Sequence, residues 1–177
     1  MTKNIFSPCS IGYLRLKNRF VRSATGESRA TLHGTLKGEI YPIYETLAAG
    51  GVGLIITGHM YVDENWKCAE KQTGIATNHH IPGLRRLAQA CQGNGTKVVA
   101  QINYNGRPPH EMSEADILEV AKSFIAAGGR AQECGFDGIQ IHAAHGYLLS
   151  GFLTPSENGR TDAYGGTAEG RRRLLIE

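Results

Sequence analysis

A chain of 177 residues with a formal net charge of +3 has the size of one ordinary domain and a globular composition, and its only basic run, Arg171-Arg172-Arg173, gives nucleic-acid binding no support. No apolar run is long enough to span a membrane, and the first dozen residues lack the apolar core of a secretory signal, so a soluble, cytoplasmic, membrane-free protein is expected. Cys9, Cys68, Cys91 and Cys134 lie far apart without a Cys-x-x-Cys pair, which argues against zinc or iron–sulfur ligation and fits free thiols in a reducing compartment.

In chain order, residues 1–17 carry a Gly12-Tyr13 turn between Cys-Ser-Ile and Leu-Arg-Leu, predicting a small hairpin. Phe20–Ser23 reads as the first strand of a larger sheet, followed by a polar, Gly-rich loop over 26–38. Ile40, Ile43, Tyr44 and Leu47 share one helical face, predicting a helix over Glu39–Ala49 that Gly50-Gly51 ends. Val52–Thr57 is continuously apolar, the pattern of a strand covered on both faces. A helix over His80–Gln92, stopped by Gly93 and Gly95, precedes a third strand, Lys97–Ile102.

Ser113 and Asp116 have the spacing of a capping box, with Asp in place of the preferred Glu. They open a third helix with Ile117, Val120, Ala121, Phe124 and Ile125 on its apolar face, closed by Gly135. Gly138–Ile141 is the fourth strand, and Thr167–Glu177 starts a fourth helix. Four βα repeats predict an α/β fold with a parallel sheet and right-handed crossovers. A doubly wound sheet shows the same alternation, but the first strand lacks a Gly-x-Gly-x-x-Gly turn. A complete (β/α)8 barrel takes about 250 residues, more than this chain holds.

The chemistry-bearing stretch is Asp137–Gly166, DGIQIHAAHGYLLSGFLTPSENGRTDAYGG. His142 and His145 stand at the tip of the fourth strand with Tyr147 just beyond, where parallel α/β folds place their reactive groups. One histidine at a strand end is more often a hydrogen-bonded structural residue. Two, with a phenol, interleaved with Ala143, Ala144 and Gly146, bring the site reading level with that alternative.

HAAHGYLLSGFLTPSENGRTDAYGG resembles the signature of the old yellow enzyme family of FMN-dependent NAD(P)H oxidoreductases, as does LKNRFVRSAT near the N-terminus. In that family a His-x-x-His or His-x-x-Asn pair is followed by Gly-Tyr-Leu, Phe-Leu-x-Pro, Asn-x-Arg-x-Asp and Tyr-Gly-Gly. The resemblance implies a partial TIM barrel of about four βα units with an N-terminal hairpin. Residues 1–177 would form one domain, the N-terminal half of a flavin-binding barrel. It also implies FMN as cofactor, NAD(P)H as reductant and a small electrophilic alkene or carbonyl compound as substrate.

Carried over by position, the backbone at Ser23, Ala24 and Thr25 would meet the N5/O4 edge of the flavin. Gly58 would pass beneath the ring, and Gln101 would pair with its pyrimidine edge. His142 and His145 would bind the substrate's acceptor oxygen, and Tyr147 would protonate the α-carbon. Three features depart from the family pattern: a short Pro108–Met112 link after Gly106-Arg107, Tyr104 where histidine is common, and Gly26 where a hydroxyl or thiol is usual. The expected enzyme is an ene-reductase, completed by a second copy or by a C-terminal half-barrel. The alternative is an inactive half-barrel that associates with another chain and binds flavin weakly or not at all.

Overall fold

The computed structural model describes residues 4–177. Cys9–Ile11 (β1) and Leu14–Leu16 (β2) form the antiparallel hairpin, turned at Gly12 with φ of 55°, a conformation that glycine adopts without steric cost. The larger sheet contains Val21–Arg22 (β3), Leu54–Ile56 (β4), Met60–Tyr61 (β5), Lys97–Asn103 (β6) and Gly138–Ile141 (β7), all parallel. Its order is β3-β4-β6-β7. β5 continues on the edge of β6 that β4 occupies, because Ile102 pairs with Met60 on one side and Ile141 on the other.

The strand predicted over Val52–Thr57 is observed as β4, and β5 is a further piece of the same edge, beyond the predicted span and after a break in the ladder. The physical reason lies at Gly58. A Cβ there would come within 2.6 Å of the Thr25 carbonyl oxygen and 2.2 Å of a Glu27 carboxylate oxygen, so the chain is pressed against the 25–27 loop and leaves the ladder. The Thr57 hydroxyl accepts from the Gln101 amide at 3.2 Å and replaces the lost backbone acceptor.

Tyr41–Ala49 (α1, preceded by a 3-10 turn over Gly38–Ile40), Ile81–Cys91 (α2) and Glu114–Glu133 (α3) follow the predicted faces closely. The Ser113 hydroxyl accepts from the Asp116 amide at 3.2 Å while the Asp116 carboxylate accepts from the Ser113 amide at 2.8 Å, so the shorter aspartate completes the box. Two helices were not anticipated, Leu148–Leu153 (α4) and Pro155–Asn158 (α5); both are too short to display a helical period. Ala168–Ile176 (α6) follows, with Thr167 capping it through the Gly170 amide at 3.1 Å.

Strand alternation sorts the side chains into two layers. Ile55, Val98, Ala100 and Ile102 point outward and pack with Tyr44, Leu84, Leu87 and Ile117 of the helices, all buried. Leu54 and Val99 point inward and are closed from below by Leu16 of the hairpin. Further up the same inner face stand Gln101 and Gln140, paired in register, so the interior turns from apolar to polar toward the C-terminal ends of the strands.

Beside β7 the outer layer is incomplete. An apolar cleft of about 290 Å³ lined by Phe124, Ile125, Ile139, Ile141 and Leu174 opens there, and Ile125 is 70% exposed. Among the described residues no helix is long and apolar enough to cross a membrane. Replacing Ser113 with Ala should cost about 1 kcal/mol by unpairing the first turn of α3. A urea midpoint unchanged by S113A would show that the cap adds no stability.

Candidate active site

The C-terminal ends of β3 to β7 enclose a cleft of about 440 Å³ lined by Ala24, His59, Gln101, Gln140, His142, His145 and Tyr147, among others. That is the size range of small-molecule sites. Gln101 Nε2 donates to Gln140 Oε1 at 2.7 Å across the floor. The backbone of His142 is held by its N–H to the Ile102 carbonyl at 3.0 Å, one step beyond the last register pair of β6 and β7. His145 sits in the left-handed region with φ of 59°, and Gly146 follows with φ of 76°. Left-handed backbone at a bulky residue costs about 1–3 kcal/mol and is retained where surrounding structure holds it. The resulting turn brings the Tyr147 ring edge-on to His142, with centroids 4.9 Å apart.

His142 is the hub of an aromatic cluster. His145 and His59 each meet it edge-on at 5.5 and 5.6 Å, and His59 lies 5.6 Å from Tyr147. Burial pushes the His59 and His142 imidazoles below their ordinary value, and each also feels repulsion from a neighbouring imidazole. A hydrogen bond with the Cys68 thiol, aided by burial, pushes the Tyr147 phenol up to about 12.

Behind the cleft, Arg22 Nη2 pairs with Glu27 Oε1 at 2.8 Å, and Arg22 Nη1 donates to the Ile56 carbonyl at 2.9 Å. Tyr44 donates to the same Glu27 oxygen and accepts from the Gly58 amide at 3.3 Å. Glu27 raises the Tyr44 phenol further after burial has already done so, which keeps this hydroxyl protonated. This network ties β3, α1 and the break in the second strand together.

The signature after Tyr147 has a scaffolding part. The buried Asn158 amide donates to the carbonyls of Phe152 and Tyr164 at 2.8 and 2.9 Å, and its oxygen accepts from the Arg160 amide at 3.0 Å. The Arg160 guanidinium reaches the carbonyls of Pro109 and Met112 and pairs with Asp162. A Cβ on Gly165 would meet the Arg160 carbonyl oxygen at 2.3 Å, so the Tyr-Gly-Gly step admits no larger residue without rearrangement.

Of the residues singled out in the sequence, Ala24, Gln101, His142, His145 and Tyr147 converge on the cleft. Ser23, Thr25 and Gly58 are not among its lining residues; the Ser23 carbonyl accepts from the Thr25 hydroxyl at 3.3 Å, and Thr25 packs against Gly58. Sequence reasoning missed His59, Gln140 and the Cys68–Gln72 pair behind His59. The one available signal for His59 was its place two residues past the apolar run of the second strand. Among the described residues no group of three His, Cys, Asp or Glu side chains could hold a metal ion.

Sequence profiles of known families match residues 4–109 and 105–177 to the NADH:flavin oxidoreductase / NADH oxidase family. The chain belongs to that family. It is 36% identical to a metal reductase of Desulforamulus reducens, over 98% of this chain and 29% of that protein. It is also 36% identical to an NADPH dehydrogenase of Geobacillus sp., over 100% of this chain and 58% of that protein. The crystal structure of old yellow enzyme from Pichia sp. superposes with a TM-score of 0.91 at 26% identity, over 98% of this chain and 54% of that one. The parallel sheet with its outer helices is therefore part of the barrel of the old yellow enzyme family. The chain spans little more than half the length of the NADPH dehydrogenase it matches.

Family membership implies FMN as the flavin and NADH or NADPH as reductant. The residues present fit the heterocyclic ring of FMN. Gln101 and Gln140 offer amide donors and acceptors to an aromatic heterocycle at the cleft floor. One strand step above Gln101 on the same face, the fully buried Asn103 has no hydrogen-bond partner for either side-chain amide atom among the described residues. An unpaired buried amide costs about 1–3 kcal/mol, a cost that a polar ligand or water would relieve.

The depressed imidazoles have a consequence for stability. The unfolded chain takes up protons near pH 6.5 while folded His59 and His142 resist them, so their contribution is complete above that value. Stability should fall as pH drops from about 6.5 toward the folded values. Imidazole proton resonances of His59 and His142 followed by NMR should titrate below the ordinary histidine value. Midpoints at or above the ordinary value for both would contradict the burial argument.

Proposed function

We propose that this chain supplies the substrate-activating half of an FMN-dependent ene-reductase that uses NAD(P)H. The observation that carries the reading is the convergence of His142, His145 and Tyr147 on one cleft with Gln101 at its floor. Bound FMN would supply the hydride, with Gln101 against its pyrimidine edge and the Ser23–Thr25 and Gly58 backbone near its other edge. His142 and His145 donate hydrogen bonds to the carbonyl or equivalent acceptor of an activated alkene. Those bonds strengthen as negative charge grows on that oxygen, which is the condition for lowering the barrier rather than merely binding. Tyr147 gives its proton to the α-carbon. Its phenol, pushed up to about 12, holds that proton throughout the neutral range.

Tyr147→Phe should suppress reduction of 2-cyclohexen-1-one in the assembled enzyme while leaving flavin reduction by NADPH intact. The loss should be about 100-fold or more, the low end of what a positioned acid contributes. Stopped-flow absorbance separates the two half-reactions, and equal loss in both would make Tyr147 a structural residue.

Assembly is part of the proposal. Among the described residues β3 and β7 each leave one edge unpaired, and the apolar cleft beside β7 continues that open seam. A C-terminal half-barrel or a second copy of the chain would supply the missing strands and complete the flavin site. Without it, flavin should be held weakly. Sedimentation at micromolar concentration should show self-association; a single species of 19.2 kDa would contradict pairing between copies.

A further inference from the structure

His59 lines the cleft and carries a proton whose place on the ring is fixed by its neighbours. The Cys68 amide donates to Gln72 Oε1 at 2.8 Å, so the amino group of the buried Gln72 is the end turned toward His59. Gln72 Nε2 donates to His59 Nδ1 at 2.9 Å and to the His59 carbonyl at 3.2 Å. Nδ1 therefore carries the lone pair, and the neutral ring has its proton on Nε2. Burial, which pushes this imidazole below its ordinary value, favours that neutral form.

The Nε2–H is not used within the chain. The Cys68 sulfur is 4.0 Å from Nε2 but nearer, 3.7 Å, to Nδ1. It thus lies beside the ring and not along the Nε2–H bond, which points away from Nδ1. What that bond approaches is Gly26. A Cβ built on this exposed glycine would lie 3.6 Å from Nε2 and 4.0 Å from Cδ2, its two nearest neighbours.

We propose that His59 is a flavin-binding residue whose Nε2–H donates to the O4 carbonyl at the N5/O4 edge of bound FMN. The placement follows from the two segments that the ring joins. His59 directly follows Gly58, and its Nε2 edge lies beside Gly26, which directly follows Thr25. Ser23–Thr25 and Gly58 are the backbone segments assigned to that edge of the ring. Gly26 brings no side-chain donor, and its missing Cβ leaves room for a ligand oxygen beside the imidazole. A donor already oriented by Gln72 meets such an oxygen with little loss of freedom. The inference rests on the reading that FMN lies across this cleft, and Gln101 reports on that reading separately.

The test follows the isotope-labelled chain by NMR as FMN is added. Before addition, the long-range nitrogen spectrum should show His59 protonated on Nε2. FMN should then shift the His59 ring and the Gln101 side-chain amide together. A shift at Gln101 without one at His59 overturns the His59 assignment alone, and no shift at either overturns it together with the flavin reading. With 2-cyclohexen-1-one in place of FMN the His59 shift should be smaller; a larger one would make His59 a substrate ligand and sink the proposal. His59→Phe keeps a ring but loses the donor, and should weaken FMN binding about 10-fold, the upper end for one hydrogen bond. Adding Gly26→Ser to His59→Phe returns a donor to the same place and should recover part of that loss. Unchanged affinity in His59→Phe, or no recovery with Gly26→Ser, would show the proposal to be wrong. Should His59→Phe fail to fold, the titration of the parent chain decides by itself.

Discussion

The register of β6 against its neighbours is the constraint on which the cleft depends. It is the longest strand, with β4 and β5 on one edge and β7 on the other. Because side chains alternate, a one-residue slip of β7 would turn Gln140 and His142 out toward the helices and bring Ile139 and Ile141 into the interior. Two features oppose such a slip. Asp137, just before β7, accepts from Lys97 Nζ at 2.8 Å and from the Val98 amide at 2.9 Å, anchoring the start of the strand. At the far end the His142 amide continues the ladder to Ile102. The Gln101–Gln140 pair between them is a cross-strand contact that only this register allows.

The same constraint explains the gradient inside the sheet. Leu16, Leu54 and Val99 form a dry plug at the bottom, so polar groups can be afforded only above it, where the strands end and the loops diverge. Chemistry is thereby confined to one end of the strands by packing at the other. The Arg22–Glu27–Tyr44 network lies outside the inner layer, between sheet and α1. It fixes the loop against which Gly58 is pressed, and so sets where His59 emerges.

Periodicity made α1, α2 and α3 legible, and the capping pair of Ser113 and Asp116 located the start of α3 to the residue. The histidines at the end of β7 were legible as chemistry, although their function came from resemblance and not from spacing. The break in the second strand was not legible, because it is imposed by contact with Thr25 and Glu27, thirty or so residues earlier in the chain. His59, Cys68 and Gln72 were missed for the same reason: they sit in segments without a repeating pattern and meet only through tertiary contacts. Asn158 and Arg160 were visible as part of a signature, yet nothing in their spacing distinguished support from catalysis. Their hydrogen bonds do so.

The Arg160 clamp bears on the order in which the molecule folds. It joins carbonyls 48 and 51 residues away, on the loop before α3, to the segment after α5. Such a long-range contact is available only once β6, α3 and β7 have already docked, because until then its two ends diffuse independently. The clamp thereby ties Tyr147 and the two short helices, whose Leu148, Leu149 and Phe152 are buried in the main core, to the loop before α3. The residue assigned the proton is thus held in place by a contact made far from the strands, so loosening the Arg160 clamp would disturb the active end without disturbing the strands beneath it.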